Sequence, residues 1–183
     1  MARKTGCFAR RRMGAIFAAA LFGLLATATA NATDTSPAPS IDREIECLAL
    51  TIYFEARGEP NVGQTAVGHV VMNRADSPRY PRQICSVVRQ GGEWPKNRCQ
   101  FSWWCDGRSD EPKDIAAWKE SMTVARNVFW GLSGDPTAGA LFYHATYVEP
   151  YWSKLLGAGE KIGTHIFYAN GDTTEVQSAQ LGP

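Results

Sequence analysis

The amino-acid sequence predicts an α+β fold, mainly helical with a small antiparallel sheet. Three observations carry that reading. Apolar residues recur three and four apart through the first two-thirds of the body, the period drops to two in the last third, and the composition is ordinary. With 183 residues, 44% hydrophobic and 20% charged, the chain is too apolar for wholesale disorder and lacks the bias of a collagen or a long coiled coil. One domain is expected at this length.

The first helix is expected over 42–57. Ile45, Leu48, Ala49, Ile52 and Ala56 fall on one face, Ser40 or Asp42 can cap the start, and Gly58 follows where a left-handed C′ residue is favoured. A second helix should begin around Pro60–Gly63, bury Val62, Ala66, Val67, Val70 and Val71, and end near Asn73-Arg74. Residues 81–89 read as a short third helix. Residues 90–113 are rich in Gly, Pro, Asn and Asp and read as irregular. Asp114 opens a fourth helix with Ile115, Trp118, Met122, Ala125, Phe129 and Leu132 at helical spacing, stopped by Ser133-Gly134-Asp135-Pro136. Residues 140–145 read as a strand, 150–155 as a helical turn and 161–169 as one further strand in which Ile162, Thr164, Ile166 and Tyr168 share a face.

The front of the chain is different in kind. Five of the 19 Lys and Arg residues lie in the first 32 positions with no acid among them, which leaves 14 basic against 18 acidic residues beyond, a net of −4. A mildly acidic body gives no electrostatic support for nucleic-acid binding. The basic stretch ends at Arg12, an apolar run covers 13–26, and Ala28-Thr29-Ala30 or Ala30-Asn31-Ala32 supplies the small-residue cleavage pattern. Residues 1–32 therefore read as a secretory signal, with an uncleaved anchor as the alternative. Residues 33–41 read as a disordered linker, 42–169 as the functional domain and 170–183 as a flexible tail. No other apolar stretch reaches spanning length, so no stable membrane span is expected once the signal is cleaved.

Four cysteines remain after the signal: Cys47, Cys85, Cys99 and Cys105. An even number in an exported chain favours disulfides. Of the three connectivities, we favour Cys47–Cys85 and Cys99–Cys105, for which loop closure contributes about 3.9 and 2.4 kcal/mol before strain. No CxxC pair appears, and His69, His144 and His165 have no compact ligand spacing, so no metal or other cofactor is expected. His144 and His165 sit on two expected strands and can meet across the sheet as polar support of a cleft. No GxSxG elbow or phosphate-binding glycine loop is present.

Glu55 stands out. At 100° per residue from Ile45, Leu48 falls at about −60° and Glu55 at about −80°, so this carboxyl borders the buried stripe. It also occupies the last helical turn, where the helix dipole disfavours a negative charge. Both effects raise a carboxyl pKa, as a general acid requires. The competing reading is a boundary glutamate paired with Arg57 or Arg74, and geometry alone favours that pairing. Nine of the 17 aromatic residues after the signal fall in two short windows, Trp94–Trp104 and Phe142–Trp152, beside Asn97, Gln100, Ser102 and Asp106. Rings flanked by polar groups suit the mixed faces of sugars, although part of this set must also form core.

The run from Ile52 to Arg74 (IYFEARGEPNVGQTAVGHVVMNR) resembles the signature of the SleB/CwlJ-type cell-wall hydrolases, the spore-cortex-lytic-enzyme-like family. Cys99-Gln-Phe-Ser-Trp103, Phe142-Tyr143-His144 and Gly163-Thr-His-Ile-Phe-Tyr168 resemble its later blocks, so the similarity spans roughly 45–168. The resemblance implies a lysozyme-like or transglycosylase-like catalytic domain that cleaves peptidoglycan glycan strands, with the family's catalytic glutamate on Glu55. It reverses the preference for the ion-paired reading. The expected substrate is the β-1,4 bond between N-acetylmuramic acid and N-acetylglucosamine. Gln64, Gln100, Ser102, Tyr143 and His165 are candidate substrate-positioning residues, and no cofactor is called for. Glu59, Glu93, Asp106 and Glu149 offer no obvious second acid, which favours a one-acid lytic transglycosylase over a two-carboxylate hydrolase. The expected protein is a monomer, periplasmic or cell-wall associated, acting in wall remodelling. A non-catalytic glycan-binding module is the alternative.

Overall fold

The computed structural model describes residues 40–91 and 99–169. The signal at 1–32, the linker up to residue 39, the tail at 170–183, and Glu93, Trp94 and Asn97 lie outside the described residues. In chain order the elements are α1 (Ile41–Ala56), α2 (Asn61–Asp76), α3 (Ile84–Val88), a 3₁₀ turn (Ser102–Trp104), α4 (Ile115–Phe129), β1 (Phe142–Ala145), a second 3₁₀ turn (Tyr151–Leu155), β2 (Glu160–Ile162) and β3 (His165–Tyr168). Helices α1, α2 and α4 pack pairwise against one another, and α3 closes on α1 and α2. The antiparallel sheet has the order β1-β3-β2. Among the described residues no helix is long and apolar enough to cross a membrane.

The first helix starts one residue earlier than its pattern suggests, with Ser40 Oγ accepting from the Arg43 amide at 3.3 Å. Ile41, assigned to the linker by sequence, is therefore helical. The buried set on α1 is wider than a single stripe: Cys47, Thr51 and Tyr53 join the predicted residues, because three other helices surround it. Tyr53 Oη accepts from the amides of Lys113 and Asp114 at 3.1 and 3.0 Å, which ties α1 to the start of α4. Cys47 is joined to Cys85, clamping α1 to α3, and Cys99 to Cys105, bracketing the first 3₁₀ turn.

Several expectations are corrected. Gly58 is not in the left-handed region; the chain leaves α1 through a tight turn in which Glu59 N donates to Ala56 O at 2.9 Å. Helix α2 has Pro60 as its N-cap residue and runs on to Asp76. Val62, Ile115 and Leu132 are exposed, at 50%, 59% and 75%. Val62 and Ile115 occupy the first turns of their helices, and Leu132 lies past Gly131, whose φ of +65° has already broken the helical period. The stripe that α4 buries is Ser121, Val124, Ala125 and Val128, with Trp118, Met122 and Phe129 only partly covered beside it. Gly68 explains why α2 shows so little one-sidedness: a Cβ there would lie 3.1 Å from Ile52 Cδ1 and 3.3 Å from Val128 Cγ2, so both α1 and α4 approach its backbone closely.

The stretch 161–169 is two strands and not one. Gly163, at φ +61°, and Thr164 form a two-residue hairpin between Ile162 and its register partner His165. His144 and His165 lie on adjacent strands but in opposite pleats, since His165 pairs with Ala145 and His144 with Ile166. They do not meet. His144 stacks with Tyr168 and meets Trp152 edge-on, whereas His165 meets Tyr143 and Phe167.

Candidate active site

Four parts of the chain converge on a cleft of about 560 Å³. The end of α1 supplies Phe54, Glu55 and Arg57, and α2 supplies Arg74. The segment stapled by Cys99–Cys105 supplies Gln100, Ser102, Trp103 and Asp106, and the sheet supplies Tyr143, His144 and His165. Phe54 and Trp103 stack at 4.9 Å between centroids and form an aromatic wall. Tyr147, 86% exposed, and Val148 stand at the rim.

Glu55 is half-buried at this junction, and Tyr143 Oη donates to its Oε2 at 3.2 Å. Burial raises the Glu55 pKa and outweighs the opposing pull of the Tyr143 hydrogen bond and the Arg74 charge. Burial and the neighbouring carboxyl also push the Tyr143 phenol well above its ordinary range, so it acts as a fixed donor. The ion-paired alternative for Glu55 is absent: among the described residues no ion pair within 4.0 Å joins it to Arg57 or Arg74. Arg57 instead lies over the Tyr53 ring at 4.9 Å.

Of the five residues singled out for substrate positioning, Gln100, Ser102, Tyr143 and His165 share this cleft with Glu55. Gln64 does not. It is 1% exposed, and its Nε2 donates to Glu59 O at 3.2 Å, closing the turn between α1 and α2. Asn73 and Arg74 likewise hold the scaffold, Asn73 Nδ2 donating to Asp135 Oδ2 and Ala140 O at 3.0 and 3.2 Å, and Arg74 Nε to Leu141 O at 2.8 Å. These bonds set the approach to β1 and so place Tyr143 over Glu55.

Sequence reasoning weighed Glu59 only as a second acid and missed its place at the hairpin. Its carboxylate accepts from Thr164 N at 2.9 Å and from Thr164 Oγ1, and lies 3.7 Å from His165 Nδ1. Burial alone would raise its pKa, but the two Thr164 bonds and His165 together hold it below the ordinary value. His165 is held below its own usual value by burial, against the pull of Glu59. A Cβ on residue 163 would overlap Glu59 Oε2, so glycine there lets the carboxylate reach the hairpin. The glycine at 163 was the available signal, but reading 161–169 as one strand hid the turn. Among the other acids, Asp106 lines the cleft with Oδ1 accepting from Arg108 N at 2.8 Å, and Glu149 is on the surface, 3.4 Å from Lys154. Among the described residues no group of three His, Cys, Asp or Glu side chains is arranged to hold a metal ion.

The sequence matches the family model described as Cell Wall Hydrolase over residues 58–168, a segment that begins just after Glu55. It is 33% identical over 133 residues to the spore cortex-lytic enzyme of Halalkalibacterium halodurans, covering 72% of this chain and 36% of that protein. The corresponding figures for the Bacillus subtilis spore cortex-lytic enzyme are 32% over 130 residues, 69% and 37%. The chain thus spans little more than a third of the length of these relatives. In three dimensions it resembles the catalytic domain of the Bacillus cereus SleB protein, with a TM-score of 0.53 and 27% identity over 75% of this chain and 98% of that one. The catalytic domain of the germination-specific lytic transglycosylase SleB from Bacillus anthracis gives a TM-score of 0.53 at 28% identity, covering 72% and 98%. With the family match extending over more than half of its residues, the chain belongs to the cell wall hydrolase family.

Proposed function

We propose that this protein is an exported enzyme that cleaves peptidoglycan glycan strands at the β-1,4 bond between N-acetylmuramic acid and N-acetylglucosamine, with Glu55 as the single acid and base. The observation that carries the reading is the setting of Glu55: a half-buried carboxyl in a sugar-sized cleft, its pKa raised by burial and its Oε2 accepting from Tyr143. Family membership and the likeness to SleB catalytic domains support it.

In the proposed reaction the Glu55 proton moves to the bridging oxygen as the C1–O bond breaks, its electron pair going to the leaving sugar. The substrate's own N-acetyl group stabilises the cationic centre. The Glu55 carboxylate then takes the proton of the muramoyl 6-hydroxyl as that oxygen attacks C1, giving a 1,6-anhydro end. A two-carboxylate hydrolase requires a second free acid at a defined distance. Glu59 is engaged by Thr164, Glu149 faces outward, and Asp106, the other described acid lining the cleft, is met by the amide and guanidinium of Arg108, which favours the transglycosylase route. Phe54 and Trp103 offer an apolar face for a sugar ring, and Gln100 and Ser102 polar partners for its substituents.

Mass spectrometry of purified sacculi after digestion tests the reading. Soluble muropeptides with anhydro ends are expected from the native protein. Reducing ends would instead mark a hydrolase, and unchanged sacculi that retain the protein would mark a glycan-binding module.

A further inference from the structure

Arg74 is a buried cation with no carboxylate in contact. It is 2% exposed, yet among the described residues no carboxylate lies within 4.0 Å of its guanidinium. The Tyr80 and Phe101 rings lie 5.5 Å away on centroid distance, Nε is spent on the Leu141 carbonyl, and Nη1 is buried with no hydrogen-bond partner. An unpaired buried cation is costly, and folds keep such groups where an anion is supplied. The groups that act on it are Tyr80, by charge and hydrogen bond, then Tyr143 and Glu55, and of these the carboxyl is Glu55. Arg74 and Glu55 line the same cleft.

We propose that Arg74 is a positioning residue for the reaction: a standing counter-charge, kept out of ion-pair contact with Glu55 at rest, that stabilises the Glu55 carboxylate created when the proton passes to the glycosidic oxygen. This rests on the reading of Glu55 as the acid. The separation matters in both directions. An arginine in direct contact would leave Glu55 ionised at rest with no proton to give. With no cation at all, the dry carboxylate left behind would be too costly and the acid too weak. Tyr143 supplies the hydrogen bond to that carboxylate and Arg74 the long-range charge.

The other arginines, the aspartate and the histidines lining the cleft are engaged elsewhere. Arg57 lies over Tyr53, and Asp106 with Arg108 forms a local pair. His144 is bonded to Tyr168 and Ala145 O, and His165 faces Glu59. Arg74 is therefore the cation whose removal should change the acid strength of Glu55.

The test is the pH profile of muropeptide release from sacculi by the full-length protein, whose basic limb reports loss of the Glu55 proton. Arg74→Met should move that limb to higher pH and lower the maximal rate about tenfold, equivalent to about 1.4 kcal/mol. Arg74→Lys, which keeps a charge but loses the planar fork, should give a smaller shift in the same direction. A purely structural role would lower the melting temperature and the rate at every pH with the limb unmoved, and that result overturns the proposal. If Arg74→Met does not fold, an unmoved or lowered limb in Arg74→Lys overturns it equally. Glu55→Gln separates the two claims. An active Glu55→Gln protein defeats the reading of Glu55, whereas an inactive one beside an unmoved Arg74 limb defeats only the present inference.

Discussion

Glu55 and Glu59 lie one helical turn apart in sequence, on either side of the end of α1, and their environments drive them in opposite directions. Glu55 has one donor, the Tyr143 hydroxyl, and a dry surround, so its neutral form is favoured. Glu59 has two donors from Thr164 and a histidine beside it, so its charged form is favoured although it too is largely covered. The difference teaches that depth of burial and the number of donors together decide which protonation state the fold prefers, desolvation weighing more on Glu55 and donors more on Glu59. On the proposed reading Glu55 is the one left able to give a proton, while Glu59 holds the β2–β3 hairpin against the helical body.

The sharpest way to break this comparison is to neutralise each carboxyl in turn. Glu55→Gln should cut muralytic turnover by about 10²–10⁴-fold, the usual contribution of a positioned general acid, with little change in melting temperature. Glu59→Gln should do the reverse, keeping measurable turnover while lowering thermal stability. Equal losses of activity from both substitutions would erase the division of labour.

A double-mutant cycle probes the structural half. Gly163→Ala forces a Cβ into Glu59 Oε2 at a φ of +61°, and should destabilise the protein by about 2–4 kcal/mol. In a Glu59→Ala background the same change should cost only the backbone share, about 1 kcal/mol. Additive losses in chemical denaturation would show that Glu59 does not depend on the space at Gly163.

A smaller effect, with opposite signs at the two positions, appears in stability against pH. Glu55 has a folded pKa above its unfolded one, so its contribution is full below the unfolded value and is lost as pH rises through the folded value. Glu55→Gln should therefore gain stability relative to the native protein as pH rises through and above the ordinary carboxylate range. Glu59 has a folded pKa below its unfolded one, so its contribution is present above the ordinary value and lost as pH falls through the folded one. Glu59→Gln should be less stable than the native protein near neutral pH and should converge with it in acid. Denaturation curves across that range that show the same sign for both variants would contradict the assignment.

Much of this was legible in the sequence. The helical period located α1, α2 and α4, and projecting Glu55 onto its helix placed it at the edge of the buried stripe. What periodicity could not supply was the extent of each neighbour: Val62 and Ile115 are apolar and correctly phased but stay exposed in the first turns of their helices, and Leu132 falls past the break at Gly131. The aromatic windows pointed to the cleft, while the split between rings facing Tyr143 and rings facing His144 depended on strand register. Gln64 looked like a substrate ligand because it falls in the signature, yet its amide serves the turn after α1. The bonds from Glu59 to Thr164 are long-range contacts, set by how the sheet docks on the helices, and no local pattern encodes them.

The most direct measurement is a carboxyl ¹³C NMR titration of the folded protein with Glu55 and Glu59 assigned through their glutamine variants. The account predicts that Glu55 titrates above the ordinary glutamate range and Glu59 below it. Coincident midpoints, or Glu55 ionising before Glu59, would contradict it.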